Sequence, residues 1–286
     1  KFELGLFEHP YVDPEQAAVA VDTPAHRRLA RTIARKSLVL LRNDGILPLA
    51  GGRIAVIGPN ADRARHLFGD YTYPAHVESL EEVLRSGRNV FSMPLDARHR
   101  PDDVEVEATT IAAALAARFG PGVGHTPGCG VTDGSRDGFA AAVRLAAASN
   151  VAVMVMGDKA GLTDDCTSGE SRDAASLDLP GVQEDLVRAV CATGTPVVLV
   201  LVAGRPIGSA SLHEQCSAVL MAWLPGQEGG RAVAEVLAGD AGPGGKLPIS
   251  YPHSAGQIPV YYGHKVSGGR SHWKGDYIDA PAAPLY

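Results

Sequence analysis

Short apolar runs alternate along the chain with stretches in which apolar residues recur every three to four positions. Residues 14–36, rich in Ala and Arg, predict a helix, followed by a strand over 37–41 and a turn at Asn43-Asp44-Gly45. The run 53–58 predicts the next strand. Helices are expected over 109–119 and 138–148, where Phe139, Val143 and Ala146 share a face, and a strand over 151–156. Pro180 suits the first turn of a helix whose buried stripe is Val182, Leu186 and Val190 and which Gly194 stops. Residues 196–202 and 218–223 read as strands, and 228–237 as a helix before the Gly- and Pro-rich segment 239–245. Continuously apolar strands separated by amphipathic helices predict an α/β fold: a doubly wound, mostly parallel sheet covered on both faces. From residue 250 onward the periodicity fades into Pro, Gly, His and aromatics, which predicts an extended C-terminal arm.

With 286 residues, the chain has room for one large domain or two small ones. A hydrophobic content of 45% with 20% charged and 6% aromatic residues suits a soluble globular protein rather than a disordered or fibrous one. Lys and Arg number 26 against 32 Asp and Glu, a formal charge of −6, so no positive field gathers nucleic acid. Membrane insertion needs about 18 consecutive apolar residues, far more than the best run at 196–203 supplies. The start, Lys1 to Phe7, has neither an initiating Met nor the layout of a signal peptide, so no compartment is read from it. Four cysteines, Cys129, Cys166, Cys191 and Cys216, are widely spaced and form no zinc-like set with the histidines, which predicts buried free thiols and no metal.

Phosphate-binding motifs fail on inspection. In Gly242-Pro243-Gly244-Gly245-Lys246, Leu247 stands where a P-loop needs Ser or Thr, and Asp240 where it needs its first Gly. Gly58-Pro59-Asn60-Ala61 lacks the dinucleotide spacing, and Pro59 removes an N–H donor. No cofactor is expected. Ser171 lacks the G-x-S-x-G context of a nucleophile elbow. The stretch 86–103, with Arg88, Arg98 and Arg100 near Pro94 and Pro101, reads as a solvated basic loop.

The segment from Gly157 to Asp173 is different. It is a long polar loop leaving the carboxyl end of an expected parallel strand, where open sheets place ligands, and it holds Asp158, Asp164, Asp165, Glu170 and Asp173. From composition alone it reads as a solvated acidic loop in which Arg172 pairs locally. Its text, however, Ser168-Gly169-Glu170-Ser171-Arg172-Asp173 followed by Leu177-Asp178-Leu179-Pro180-Gly181, resembles the glycoside hydrolase family 3 loop that carries the general acid/base glutamate. Further blocks follow in the family's order: 4–7 with 10–13, 37–43 with 47–49, 54–61, Gly128-Cys129, 225–230, 245–248 and 259–262. The segment from Tyr261 to Lys265 is most similar to that of β-glucosidase and β-xylosidase members.

The resemblance implies the family's second domain, a six-stranded, mostly parallel sheet sandwiched between helices, with 1–36 as linker and first helix, 37–250 as the α/β unit and 251–286 as the arm. It implies a retaining exo-β-glycosidase acting on β-linked glucoside or xyloside oligosaccharides, with Glu170 as general acid/base. The aspartate nucleophile would come from a (β/α)₈ barrel, in cis or in trans, expected ahead of Lys1, so this chain alone is expected to be inactive. At the other end, longer members continue toward a fibronectin-III-like module. Arg172 and Asp173 are candidates to orient Glu170 or touch the leaving-group sugar, or else to cap the helix region that follows. Asp70-Tyr71 and His264-Lys265 are polar enough to line the interface with the barrel, although ordinary surface placement is the better reading for each taken alone. An apolar face left by a missing barrel makes a homo-oligomer a further expectation. A non-catalytic sugar-binding or scaffolding domain is the alternative, against which stands the lack of Trp, Tyr or Phe within the acidic loop that carries Glu170.

Overall fold

The computed structural model describes residues 1–87, 106–263 and 275–286. Its centre is one six-stranded sheet in the order β1-β6-β5-β4-β2-β3. The strands are β1 (Val39–Asn43), β2 (Ile54–Ile57), β3 (Val123–Thr126), β4 (Val151–Gly157), β5 (Val197–Val202) and β6 (Ala218–Met221). All neighbours run parallel except β1, which pairs antiparallel with β6 in the register Val39 to Met221. Side chains alternate between the two faces of a strand, so a strand buried on both must be apolar throughout. Accordingly Val153, Val155, Val198 and Val200 pack on one side with helices α2 (Pro24–Ser37), α4 (Ile111–Phe119) and α8 (Gly229–Ala238). Met154, Met156, Leu199 and Leu201 pack on the other with α5 (Phe139–Ala147), α6 (Gln183–Cys191) and α7 (Ala210–Gln215).

The helix expected over 14–36 is broken. A single turn at Pro14–Gln16 and the short α1 (Ala17–Ala20) end before Asp22, at φ +55°, and Thr23 restarts the chain as α2 by accepting from the His26 N–H at 3.3 Å. Pro24 explains the break, because the residue before a proline is driven out of helical geometry and the ring cannot donate upstream. Likewise α6 begins at Gln183 rather than near Pro180, which lies in the preceding bend. Three elements add to the expected set: α3 (Tyr73–Ser86), β3 and α7. Ser86, placed in a loop by the sequence reading, closes α3; Arg88, Arg98, Arg100, Pro94 and Pro101 lie outside the described residues.

Beyond residue 250 the described chain holds one further turn, Ala255–Gln257, and is tied down by two buried side chains. Tyr251 Oη accepts from the Ile207 N–H at 2.6 Å, and Gln257 Nε2 donates to the carbonyls of Pro281, Ala282 and Ala283. All four cysteines are free thiols, but only Cys166 and Cys216 are buried; Cys129, in the loop after β3, and Cys191, at the end of α6, are half-buried, where burial throughout was expected. Among the described residues no helix is long and apolar enough to cross a membrane.

Candidate functional site

After β2 the chain crosses to β3 on one side, while β4 lies on the other, so the carboxyl ends of β2 and β4 bound a topological switch point, where open sheets form crevices. The loop that follows β4 leaves from there. Gly157 permits the exit: at φ +139°, a Cβ would lie 2.0 Å from the Val202 carbonyl oxygen, so no other residue fits. Asn60, just past β2, donates from Nδ2 to the Asp158 carbonyl at 2.8 Å and joins the two strand ends.

The loop is braced by buried charges. Asp158 is fully buried; its Oδ1 accepts from Arg205 Nη2 at 3.0 Å and from Thr167 Oγ1 at 2.8 Å, and Arg205 Nη1 donates to the Thr167 carbonyl at 2.9 Å. Burial pushes the Asp158 carboxyl above its ordinary range, with the Arg205 guanidinium opposing that rise. Lys159, also buried, reaches Glu78 of α3 at 2.6 Å and Asp165 at 2.7 Å. Burial alone would lower this lysine, yet the two carboxylates outweigh it and raise it above the usual value. Arg65 binds the same Glu78 at 2.8 Å and donates to the Ala160 carbonyl at 2.9 Å, so α3 is stitched to the first part of the loop. Beside these two cations, His66 is held neutral, pushed down to about 4 by burial first and by Lys159 and Arg65 second.

At the tip sits Glu170, exposed, between Gly169 at φ +121° and Ser171 at φ +61°. Its N–H donates to Asp70 Oδ2 at 2.9 Å, and its Oε2 accepts from the Tyr71 hydroxyl at 3.0 Å. That hydrogen bond, with a smaller contribution from the Asp70 charge, holds the Tyr71 phenol above its ordinary range. Arg172 folds back, donating from Nη2 to the Leu162 carbonyl at 3.3 Å and to Asp164 Oδ1 at 3.4 Å, which is the local pairing that composition suggested. Asp173 is exposed, and α6 begins without a side-chain cap, so neither Arg172 nor Asp173 caps it. A cavity of about 530 Å³ opens beside Glu170, lined by Ser79, Glu82 and Arg85 of α3 and by Leu162, Asp164 and Arg172 of the loop.

The structure therefore brings Glu170 and Arg172 to one cavity and adds Asp70 and Tyr71, which the sequence left at the interface or on the surface. His264 and Lys265 lie outside the described residues. Sequence reasoning missed the braces Arg65, Glu78, Lys159, Thr167 and Arg205. Lys159 and Arg205, each just past the end of an apolar strand, carried a local signal, since such positions lie at the carboxyl edge of the sheet. Among the described residues no group of three or more His, Cys, Asp or Glu could hold a metal ion.

Comparison with known proteins agrees with this architecture. The sequence pattern of the glycosyl hydrolase family 3 C-terminal domain matches residues 38–280. The chain is 34% identical to a periplasmic beta-glucosidase of Salmonella typhimurium, a match that takes in 100% of this chain and 38% of that protein. It is 33% identical to a beta-xylosidase of Formosa agariphila, over 100% of this chain and 36% of that one. Among solved structures, a beta-glucosidase from Listeria innocua in complex with isofagomine superposes with a TM-score of 0.79 at 29% identity, over 100% of this chain and 36% of its own. The chain thus spans somewhat over a third of the length of these relatives.

Proposed function

The chain belongs to glycoside hydrolase family 3, as its C-terminal domain, and we propose that it supplies the general acid/base of a retaining exo-β-glycosidase, with Glu170 in that role. The observation that carries the reading is the presentation of Glu170: an exposed carboxylate at the tip of a loop whose base is fixed by buried ion pairs, at the switch point of the sheet, beside a cavity. A barrel domain, leading into residues 1–36 and the α/β unit 37–250, would provide the nucleophile. Retention needs two carboxyl groups about 5–5.5 Å apart. In the first step the barrel carboxylate attacks the anomeric carbon, the glycosidic C–O electrons pass to the leaving oxygen, and Glu170 gives that oxygen its proton. In the second, water attacks the anomeric carbon, the bond to the barrel carboxylate breaks with its electrons returning to that carboxylate, and the water gives its proton to Glu170. Arg172 would face the leaving-group sugar of a β-linked glucoside or xyloside from the cavity it lines, with Asp173, exposed outside that lining, as a second contact.

The test is Glu170→Gln in the enzyme assembled from this chain and its barrel. Hydrolysis of disaccharides should fall by about 10²–10⁴-fold. Aryl glycosides with activated leaving groups should lose much less in the first step, and azide should restore turnover by attacking the glycosyl-enzyme without a general base. Unimpaired disaccharide hydrolysis would remove Glu170 from the role and favour a sugar-binding domain.

A further inference from the structure

We propose that Asp70 and Tyr71 are positioning residues for Glu170: Asp70 fixes the backbone of the loop tip, and Tyr71 holds Oε2 so that Oε1 is the oxygen that carries and exchanges the catalytic proton. The inference rests on the reading of Glu170 given above. Both residues come from the turn between the single-turn helix Ala64–Leu67 and α3, an element distant in sequence from the loop. That turn is itself held. The Leu67 carbonyl accepts from the Gly226 N–H at 2.8 Å, and the Gly69 carbonyl from Thr72 Oγ1 at 2.6 Å.

Two contacts define the geometry of the tip. Asp70 Oδ2 takes the N–H of Glu170 at 2.9 Å, and a Cβ placed on Gly169 would lie 3.1 Å from the Asp70 Cβ and 2.7 Å from the Gly161 carbonyl, so the backbone is gripped from both sides. The Tyr71 hydroxyl then donates to Oε2 at 3.0 Å. A carboxylate has two oxygens, and a donor on one leaves the other as the site that accepts a proton without losing an existing bond. Oε1 makes no hydrogen bond among the described residues. The charged groups sharing the cavity are Asp164 and Arg172 of the loop and Glu82 and Arg85 of α3, and none of them is hydrogen-bonded to Glu170.

Removing the hydroxyl in Tyr71→Phe frees Oε2, so the carboxyl group is no longer held with Oε1 as the proton-carrying oxygen. The kcat for disaccharides should fall by about tenfold with KM little changed, while aryl substrates with activated leaving groups lose little. An equal loss on both leaving groups overturns the inference. Glu170→Gln run in parallel separates the two failures. If that variant still cleaves disaccharides, the reading of Glu170 falls; if it is impaired while Tyr71→Phe behaves as the parent, only the positioning role falls. A second measurement needs no turnover. In this chain labelled at tyrosine Cζ, the titration midpoint of Tyr71 should drop in Glu170→Gln, and an unchanged midpoint overturns the contact.

Discussion

The ring of His213 is 1% exposed, between Tyr251 at 5.5 Å and Tyr286 at 5.8 Å, ring centre to ring centre, in the seam where the C-terminal arm meets the domain. Its Nε2 lies 3.2 Å from the Ile207 carbonyl, which makes Nε2 the donor and leaves Nδ1 as a buried acceptor with no partner among the described residues. Protonation would add a second donor with nothing to receive it. Burial accordingly pushes His213 down to about 4, with the Ile207 carbonyl and the Glu184 charge only partly opposing. An unfolded chain binds this proton near pH 6.5, and the folded one only near pH 4. The stability linked to neutral His213 is therefore complete above pH 6.5 and is lost as the pH falls through 4, on the order of 3 kcal/mol in all. His213→Gln keeps a donor for Ile207 and removes the titration. Its melting temperature should fall less than the parent's between pH 7 and pH 4.5, and parallel curves would contradict this account.

Among the elements, the loop after β4 depends on one buried ion pair. Loss of Arg205 leaves the Asp158 carboxylate buried without its cation, a change that costs about 3–5 kcal/mol where such pairs have been broken. Arg205→Met should therefore lower the urea midpoint clearly, and adding Asp158→Asn should recover part of the loss, because a neutral amide needs no cation there. A double variant no better than the single one would show that the guanidinium serves some other partner. None of this was legible in the sequence, because Asp158, Thr167 and Arg205 meet only once β4 and β5 lie side by side. The strands themselves were legible for the opposite reason. The sequences of β4 and β5 are apolar from end to end, a pattern that needs no knowledge of neighbours. Helix α3 was missed because its buried positions are the small Ala75 and Ser79 with Val83, so four-residue spacing carried little hydrophobic contrast. The strand β3 sits at the sheet edge, half-buried and interrupted by Gly124 and His125, and reads as loop. At the candidate site, the text around Glu170 was readable as a family resemblance, whereas Asp70 and Tyr71 became its partners only through the fold.

For the whole molecule, the exposed apolar side chains are the informative surface. Phe2, Leu4, Phe7, Tyr11 and Val12 are exposed in the N-terminal segment, as are Leu29 and Ile33 on α2, an amount of apolar side chain that calls for a cover. In the proposed enzyme the barrel is that cover, and it also brings the second carboxyl group. Without a nucleophile no glycosyl-enzyme forms, and a lone carboxyl group gives at best the modest gain of general acid catalysis. The purified chain should therefore show no turnover of aryl β-glucosides or β-xylosides above background, and should self-associate as its concentration rises. Adding the separately produced barrel should dissolve that self-association and restore hydrolysis together, since both follow from docking the same partner. Activity should then saturate at one barrel per chain and disappear with Glu170→Gln on disaccharides. Sedimentation and initial rates measured on the same mixtures decide the matter: robust turnover by the chain alone, or a barrel that binds and yields no activity, would refute the division of labour between the two domains.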